Sequence, residues 1–268
     1  MTKEHLFCPP ERSVGGTVRS SIMQHIMQNG SFMVPEIASA TGFSLTTVAK
    51  YVSEMLAAGQ IVETDRICLH AKGRRTVRYG VRPEACPCFM GVDMRAFELN
   101  IGLVDFVGQP VRIERHTDFR LENTRDTLDE VCRRIQRFVA TLDGIAPERI
   151  AGININVPGR VNSRTGTSAT TFNFEETVDT PLTDILSERL GMRVFIENDT
   201  KAMAYGAYMS GLNKQYDNLL YINIGWGLGL GLGIVIDGKL CHGKDGYSGE
   251  FGHIHMYNNN ILCHCGKT

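Results

Sequence analysis

Residues 218–240 read NLLYINIGWGLGLGLGIVIDGKL. Apolar, β-prone residues fill both ends, and glycine recurs at every second position from Gly225 to Gly233, so the stretch is read as two strands around a glycine-rich turn. That spacing is not the G-x-G-x-x-G that opens a helix after a strand, which leaves a nicotinamide-binding fold with little support. Working outward, Thr200 to Met209 is read as a helix, RVFIEND (193–199) as a strand, Leu182 to Leu190 as a helix and RIAGININV (149–157) as a strand. A strongly amphipathic segment near Thr124 to Leu142 precedes them. Before it come three strand-like segments, CFMGVDM (88–94), AFELNIGLVDF (96–106) and PVRIERHTDF (110–119), with Gly108 in the second turn. Three hairpin-connected strands followed by alternating helix and strand make an α/β lobe, not a doubly wound dinucleotide fold.

The first eighty residues follow another pattern. Ile22, Ile26 and Met27 fall at helical spacing between Val18 and Met27, and Asn29-Gly30 ends that helix. Pro35 suits a first turn, Ile37 and Ala38 face inward, and Gly42 supplies a tight turn. Ser44 can cap a third helix whose apolar stripe is Val48, Val52, Met55 and Leu56. That stripe leaves Thr46, Thr47, Lys50 and Tyr51 facing outward. Six Lys or Arg and no acid occur from Arg66 to Arg82, which predicts a β-hairpin with a basic tip. Three helices and a hairpin resemble a winged helix-turn-helix, over residues 1–82, in which the third helix enters the major groove and the wing meets the DNA backbone. Ser44, Thr46, Thr47, Lys50, Arg74, Arg75 and Arg78 are the candidate DNA contacts. A three-helix oligomerisation module is the competing reading, against which the basic cluster weighs.

Composition sets outer limits. At 268 residues and 43% hydrophobic, the chain has room for two domains, and PEACPC (83–88) marks the change of pattern, with 83–87 as linker. A net charge of −1 argues against a wholly basic nucleic-acid binder but leaves room for a small basic module. No apolar run approaches the roughly 20 residues that span a bilayer, and MTKEHLFCPPERS lacks the apolar centre of a signal peptide. A cytoplasmic protein with no membrane partner is expected. Eight irregularly spaced cysteines then read as free thiols or metal ligands, with Cys86 and Cys88 as linker thiols.

NVPGRVN (156–162), IENDTKAMAYG (196–206), IGWGLGLGLGIVIDGKL (224–240) and GYSGEFGHIHM (246–256) resemble, in order, the motifs of the ROK family of sugar kinases and sugar-responsive repressors. The resemblance covers about residues 88–268, and the added N-terminal module is similar to the repressor branch. It implies an actin/hexokinase-like two-lobed domain with sugar in the cleft, the second lobe being incomplete. Gly159, Arg160, Asn198, Asp199, Glu250 and His253 match the family's sugar contacts, and Asp199 also matches the kinases' general base. Such groups suit a sugar, whose hydroxyls need paired donors and acceptors. The kinases carry D-x-G-x-T at the first strand turn, whereas this chain has Arg95 and Phe97 at the glycine and threonine positions, so no enzymatic activity is expected.

The resemblance also implies structural zinc held by His253, Cys263 and Cys265, from a family pattern of one histidine and three cysteines. The matching fourth cysteine would stand two positions past Thr268, which is read as truncation or as a weakened site completed by water, His264 or another donor. The expectation is a sugar-responsive transcriptional regulator, a repressor, acting as a homodimer or higher homo-oligomer on operator DNA, with a sugar or sugar phosphate as effector. An ATP-dependent sugar kinase is the alternative.

Overall fold

A computed structural model describes residues 14–67, 76–174, 177, 180–225, 229–255 and 262. The chain forms two compact units, residues 1–89 with 104–111, and residues 90–103 with 112–268.

The first unit holds α1 (Val14–Asn29), β1 (Ser31–Phe32), α2 (Val34–Thr41), α3 (Leu45–Ala57), β2 (Val62–Ile67) and β3 (Thr76–Gly80). Helix α1 extends beyond the Val18–Met27 pattern at both ends, through Val14 to Thr17 and through Gln28 and Asn29. Met33 N donates to Glu36 Oε2 at 2.7 Å at the start of α2, and Gly42 ends that helix at φ 72°, a conformation glycine adopts without strain. Ser44 caps α3 as expected, its Oγ accepting from Thr47 N at 3.1 Å. Val48, Val52 and Met55 of α3 are buried against Val18, Ile22 and Ile26 of α1 and Ile37 of α2. Each such side chain contributes roughly 1.5–3 kcal/mol of burial. The three strands form an antiparallel sheet in the order β1-β3-β2, with buried Phe32 paired to Tyr79. Cys86, read as a linker thiol, is instead buried in this same core, as is Phe106 of the 104–111 turn. The linker segment is thus packed, and its start forms a short helical turn, Pro83–Ala85.

The second unit is built on a five-stranded sheet of order β10-β7-β4-β5-β6. Its strands are β4 (Cys88–Arg95), β5 (Glu98–Val104), β6 (Pro110–His116), β7 (Ile150–Val157) and β10 (Val194–Asn198). Burial alternates along β4 and β5, the period-two pattern of strands with one face on a core. Helix α4 (Arg125–Ala140), capped by Thr124, buries Leu128, Val131, Cys132, Ile135 and Phe138, and α5 (Leu182–Leu190) buries Leu182, Leu186 and Leu190. β8 (Val161–Asn162) and β9 (Thr167–Ser168) form a small hairpin.

Helix α6 (Asp199–Met209) leads to a second, antiparallel sheet, β11 (Leu219–Gly225), β12 (Gly229–Ile236) and β13 (Lys239–Leu240). The alternating glycines have a packing cause. A Cβ on Gly231 would stand 2.3 Å from Thr200 Oγ1, and one on Gly233 would stand 2.2 Å from Ala204 Cβ. Glycine at every second residue strips one face of β12 of side chains, and α6 lies directly on that face. The opposite face carries Leu230, Leu232 and Ile234, paired across to Ile224, Ile222 and Leu220.

Candidate functional site

The register of the parallel β7–β10 pair assembles the site. Asn156 sits beside Glu197 and Val157 beside Asn198, so both strands end together and their following turns meet. Ligand sites of open α/β sheets lie at such carboxyl ends. After β7 the chain turns through Pro158 to Gly159 at φ 92°, where a Cβ would fall 2.0 Å from Thr170 Oγ1; that hydroxyl accepts from Arg160 N at 3.0 Å. After β10, Asn198 caps α6, its Oδ1 accepting from Lys201 N at 3.0 Å. Its Nδ2 donates to Gly159 O at 2.9 Å and to Asp199 Oδ1 at 3.0 Å. The expected Gly159, Asn198 and Asp199 are thereby brought together, with the Arg160 guanidinium 6.0 Å from the Tyr247 ring centre.

Asp199 is half-buried, and burial raises its pKa above the ordinary carboxylate value. Asp93, a second carboxylate at the end of β4, pushes it the same way. Asp93 is itself bound by Arg95 Nε at 2.8 Å and approached by Asn156 Nδ2 at 3.4 Å. Phe97 is exposed, with the Arg120 guanidinium 5.0 Å from its ring centre. The expected departures at the second glycine-rich turn, Trp226 and Leu228, lie outside the described residues.

Glu250 and His253 come from the segment after β13. His242 Nε2 lies 2.7 Å from Glu197 Oε2, and Ser248 N donates to His242 O at 3.1 Å. Gly246 presses on β8, where a Cβ would meet Val161 O at 2.3 Å, and Gly249 presses on β12, where a Cβ would fall 1.9 Å from Leu232 O. Lys201, buried at 2% exposure, donates from Nζ to Gly246 O at 2.5 Å. Burial lowers its pKa, while Glu197, Glu250 and Asp199 oppose that shift. Glu250 Oε2 stands 3.7 Å from His253 Nε2. Sequence reasoning missed Lys201, Glu197 and His242. The only available signal was a lysine inside the small, apolar run of α6, and its partner Gly246 is 45 residues away.

Cys263 and Cys265 lie outside the described residues, and among those described no three His, Cys, Asp or Glu side chains converge to hold a metal. One imidazole and two thiolates remain a donor set that suits zinc. A concavity of about 400 Å³ against α4, lined by Asp118, Arg120, Glu130 and Arg134, is a separate place. Three of these charges satisfy one another: Arg134 bonds Asp118 at 2.8 and 3.0 Å and Glu130 at 2.7 Å, and it holds the Asp118 pKa down at about 2.

In the first unit Ser44, Thr46 and Lys50 are exposed along the start of α3, and Thr47 is half-buried. Ser44 Oγ also lies 2.8 Å from the hydroxyls of both Thr46 and Thr47. Arg78 is not directed outward: Nε donates to Ser31 Oγ at 3.0 Å, and Glu36 lies 3.5 Å away. Arg74 and Arg75 lie outside the described residues. Arg19, unmarked by sequence reasoning, is exposed beside α3, paired with Glu54 at 2.7 Å and set over Tyr51.

The ROK family profile matches residues 89–268. The chain belongs to the ROK family. Both branches of ROK proteins are similar to it. A xylose repressor of Bacillus subtilis is 27% identical over 246 residues, covering 92% of this chain and 62% of the repressor. A glucokinase of Thermotoga maritima is 32% identical over 183 residues, covering 66% of this chain and 53% of the kinase. The crystal structure of a ROK transcriptional regulator, a homologue of the E. coli MLC protein, superposes with a TM-score of 0.69 at 26% identity, covering 92% of this chain and 61% of that one. A ROK glucokinase from Streptomyces griseus, solved with glucose and AMPPNP, gives 0.56 at 28% identity over 67% of this chain and 54% of that one. The chain therefore spans about half to three-fifths of the length of these relatives. Among its described residues no helix is long and apolar enough to cross a membrane.

Proposed function

We propose that this ROK protein is a sugar-responsive transcriptional repressor of the cytoplasm. The observation that carries the reading is coverage. Repressor and regulator relatives match 92% of the chain, including the first unit, whereas the two glucokinases match 66% and 67%. In this reading α3 enters the major groove with Thr46, Thr47 and Lys50 toward the bases, and the basic segment bearing Arg74 and Arg75 meets phosphates. A homodimer reads a two-fold-symmetric operator. A sugar held by Gly159, Arg160, Asn198, Asp199, Glu250 and His253 shifts the protein between DNA-competent and incompetent states, which requires unequal affinity for the two. Zinc, held by His253, Cys263 and Cys265, would brace the segment that delivers Glu250.

Arg95 supports a non-enzymatic role, since it neutralises Asp93 at the turn where kinases of the family present small residues to phosphate. The test is a DNA titration on fragments flanking the gene, at two salt concentrations, with and without sugars. Specific binding altered by one sugar is expected. Changing Arg74 and Arg75 together to alanine should flatten the log–log salt slope by roughly 2 on all sequences. Sugar-dependent ATP consumption without specific DNA binding would overturn the reading in favour of a kinase.

A further inference from the structure

We propose that Lys201 is a positioning residue that joins the two halves of the candidate site, an inference that rests on the carbohydrate reading above. One half is the head of α6, where Asn198 and Asp199 meet the turn at Gly159. The other is the segment 241–253, a strap that follows β13 and carries Glu250 and His253. The strap lies flush on its neighbours. Besides the close approach to Val161 O, a Cβ on Gly246 would fall 2.9 Å from Asn162 Cα, and one on Gly252 would fall 2.4 Å from Leu230 O. Glycines at 246, 249 and 252 therefore seat the strap's backbone on β8 and β12, and His242 ties its start to Glu197 at the end of β10.

Lys201 links the strap to α6, and both ends of the residue are engaged. Its backbone N donates to Asn198 Oδ1 at 3.0 Å, and the same Asn198 gives its Nδ2 to Gly159 O and Asp199 Oδ1. Its Nζ, on a side chain only 2% exposed, donates to the carbonyl of buried Gly246 at 2.5 Å. A connected run of hydrogen bonds thus passes from Gly159 through Asn198 and Lys201 into the strap. A buried ammonium is costly unless it is bonded, and a charge-assisted bond is stronger than a neutral one, so this contact holds the strap at a fixed distance from the helix. Without the ammonium, Gly246 O is a buried acceptor with its partner removed, and the strap must shift to satisfy it. A displacement of about 1 Å is enough to loosen a binding site. Lys201 thereby acts on the sugar through Glu250, without touching it.

The experiment is isothermal titration of the full 268-residue chain, Lys201→Met, Glu250→Gln and the double variant with pentoses and hexoses that include D-xylose and D-glucose. Hydrogen–deuterium exchange is measured on each without ligand. Methionine is unbranched and adaptable but has no donor, and exchanging a buried charge for an apolar side chain often leaves a fold intact. Lys201→Met is expected to bind sugar about tenfold or more weakly, with faster amide exchange in residues 241–253 and unchanged exchange in β7 and β10. The double variant is expected to bind no more weakly than the weaker single variant, because a displaced strap no longer presents Glu250. If Lys201→Met does not fold, Lys201→Gln, polar but shorter, takes its place in the same cycle with the same expected non-additivity. Unchanged sugar affinity, or losses that simply add in the double variant, overturns the positioning role and leaves the carbohydrate site standing. A parent chain that binds no sugar overturns the carbohydrate reading, and the inference with it.

Discussion

At the scale of single residues, Asp199, a proposed sugar contact, carries a folding cost. Burial, aided by the charge of Asp93, raises its pKa above 3.8, so the native state keeps its proton to higher pH than the unfolded chain does. The native state then binds more protons between 3.8 and the raised value, and stability falls as pH rises through that window. The cost is present wherever the pH lies above that window. Asp199→Asn removes the charge while keeping an Oδ1 that can accept from Thr200 N. Its melting temperature at pH 7 is therefore expected to equal or exceed the parent's, the advantage disappearing below about pH 4, while sugar response is lost. Melts at both pH values check this, and a lower melting temperature at pH 7 would show that the carboxylate is not paying a burial cost. Lys201 was the residue least legible in the sequence. A lysine in a helix is ordinarily read as solvated, and nothing local marks that a carbonyl 45 residues on waits for its ammonium. Arg78, counted among the basic residues for DNA, is also tied by Ser31 and Glu36, partners that its neighbours in sequence do not reveal.

At the scale of elements, the strands and helices were legible because each repeats its own period. α4 and α5 coincide closely with their apolar patterns, and Ser44, Thr124 and Asn198 begin helices as short polar caps should. The glycine alternation of β12 was legible as a strand but not as a docking face, because the partner, α6, is a separate element. That partner makes the face testable. Gly233→Ala places a methyl 2.2 Å from Ala204 Cβ and 3.1 Å from Thr200 O, so α6 must lift off the sheet. Overpacking of this kind costs about 1–3 kcal/mol, and the shift would move Asn198 and Asp199 at the head of the same helix. Gly91→Ala in β4, with nothing within 4 Å, is the control and should be close to neutral. Denaturant titration of both variants checks the difference. Equal stability would mean that α6 does not rest on the glycine face.

At the scale of the whole molecule, a regulator needs one equilibrium that two ligands both bias. If sugar changes operator affinity by some factor, operator must change sugar affinity by the same factor, because both measure one coupling free energy. For ordinary allosteric proteins that energy is about 1–3 kcal/mol, or roughly 5–150-fold. The expected outcome is therefore a pair of equal ratios: operator dissociation constants with and without saturating sugar, and sugar dissociation constants with and without saturating operator. Asp199→Asn should bring both ratios to unity while leaving operator affinity in the absence of sugar unchanged. The Arg74 and Arg75 double alanine variant should weaken operator binding while leaving sugar affinity in the absence of DNA unchanged. Ratios that differ would place the sugar's effect outside this chain's binding equilibrium. Ratios of unity in the parent protein, with both ligands binding, would mean that the carbohydrate site and the DNA-binding unit share a chain without sharing an equilibrium, and the regulatory reading would fall even though each site had been assigned correctly.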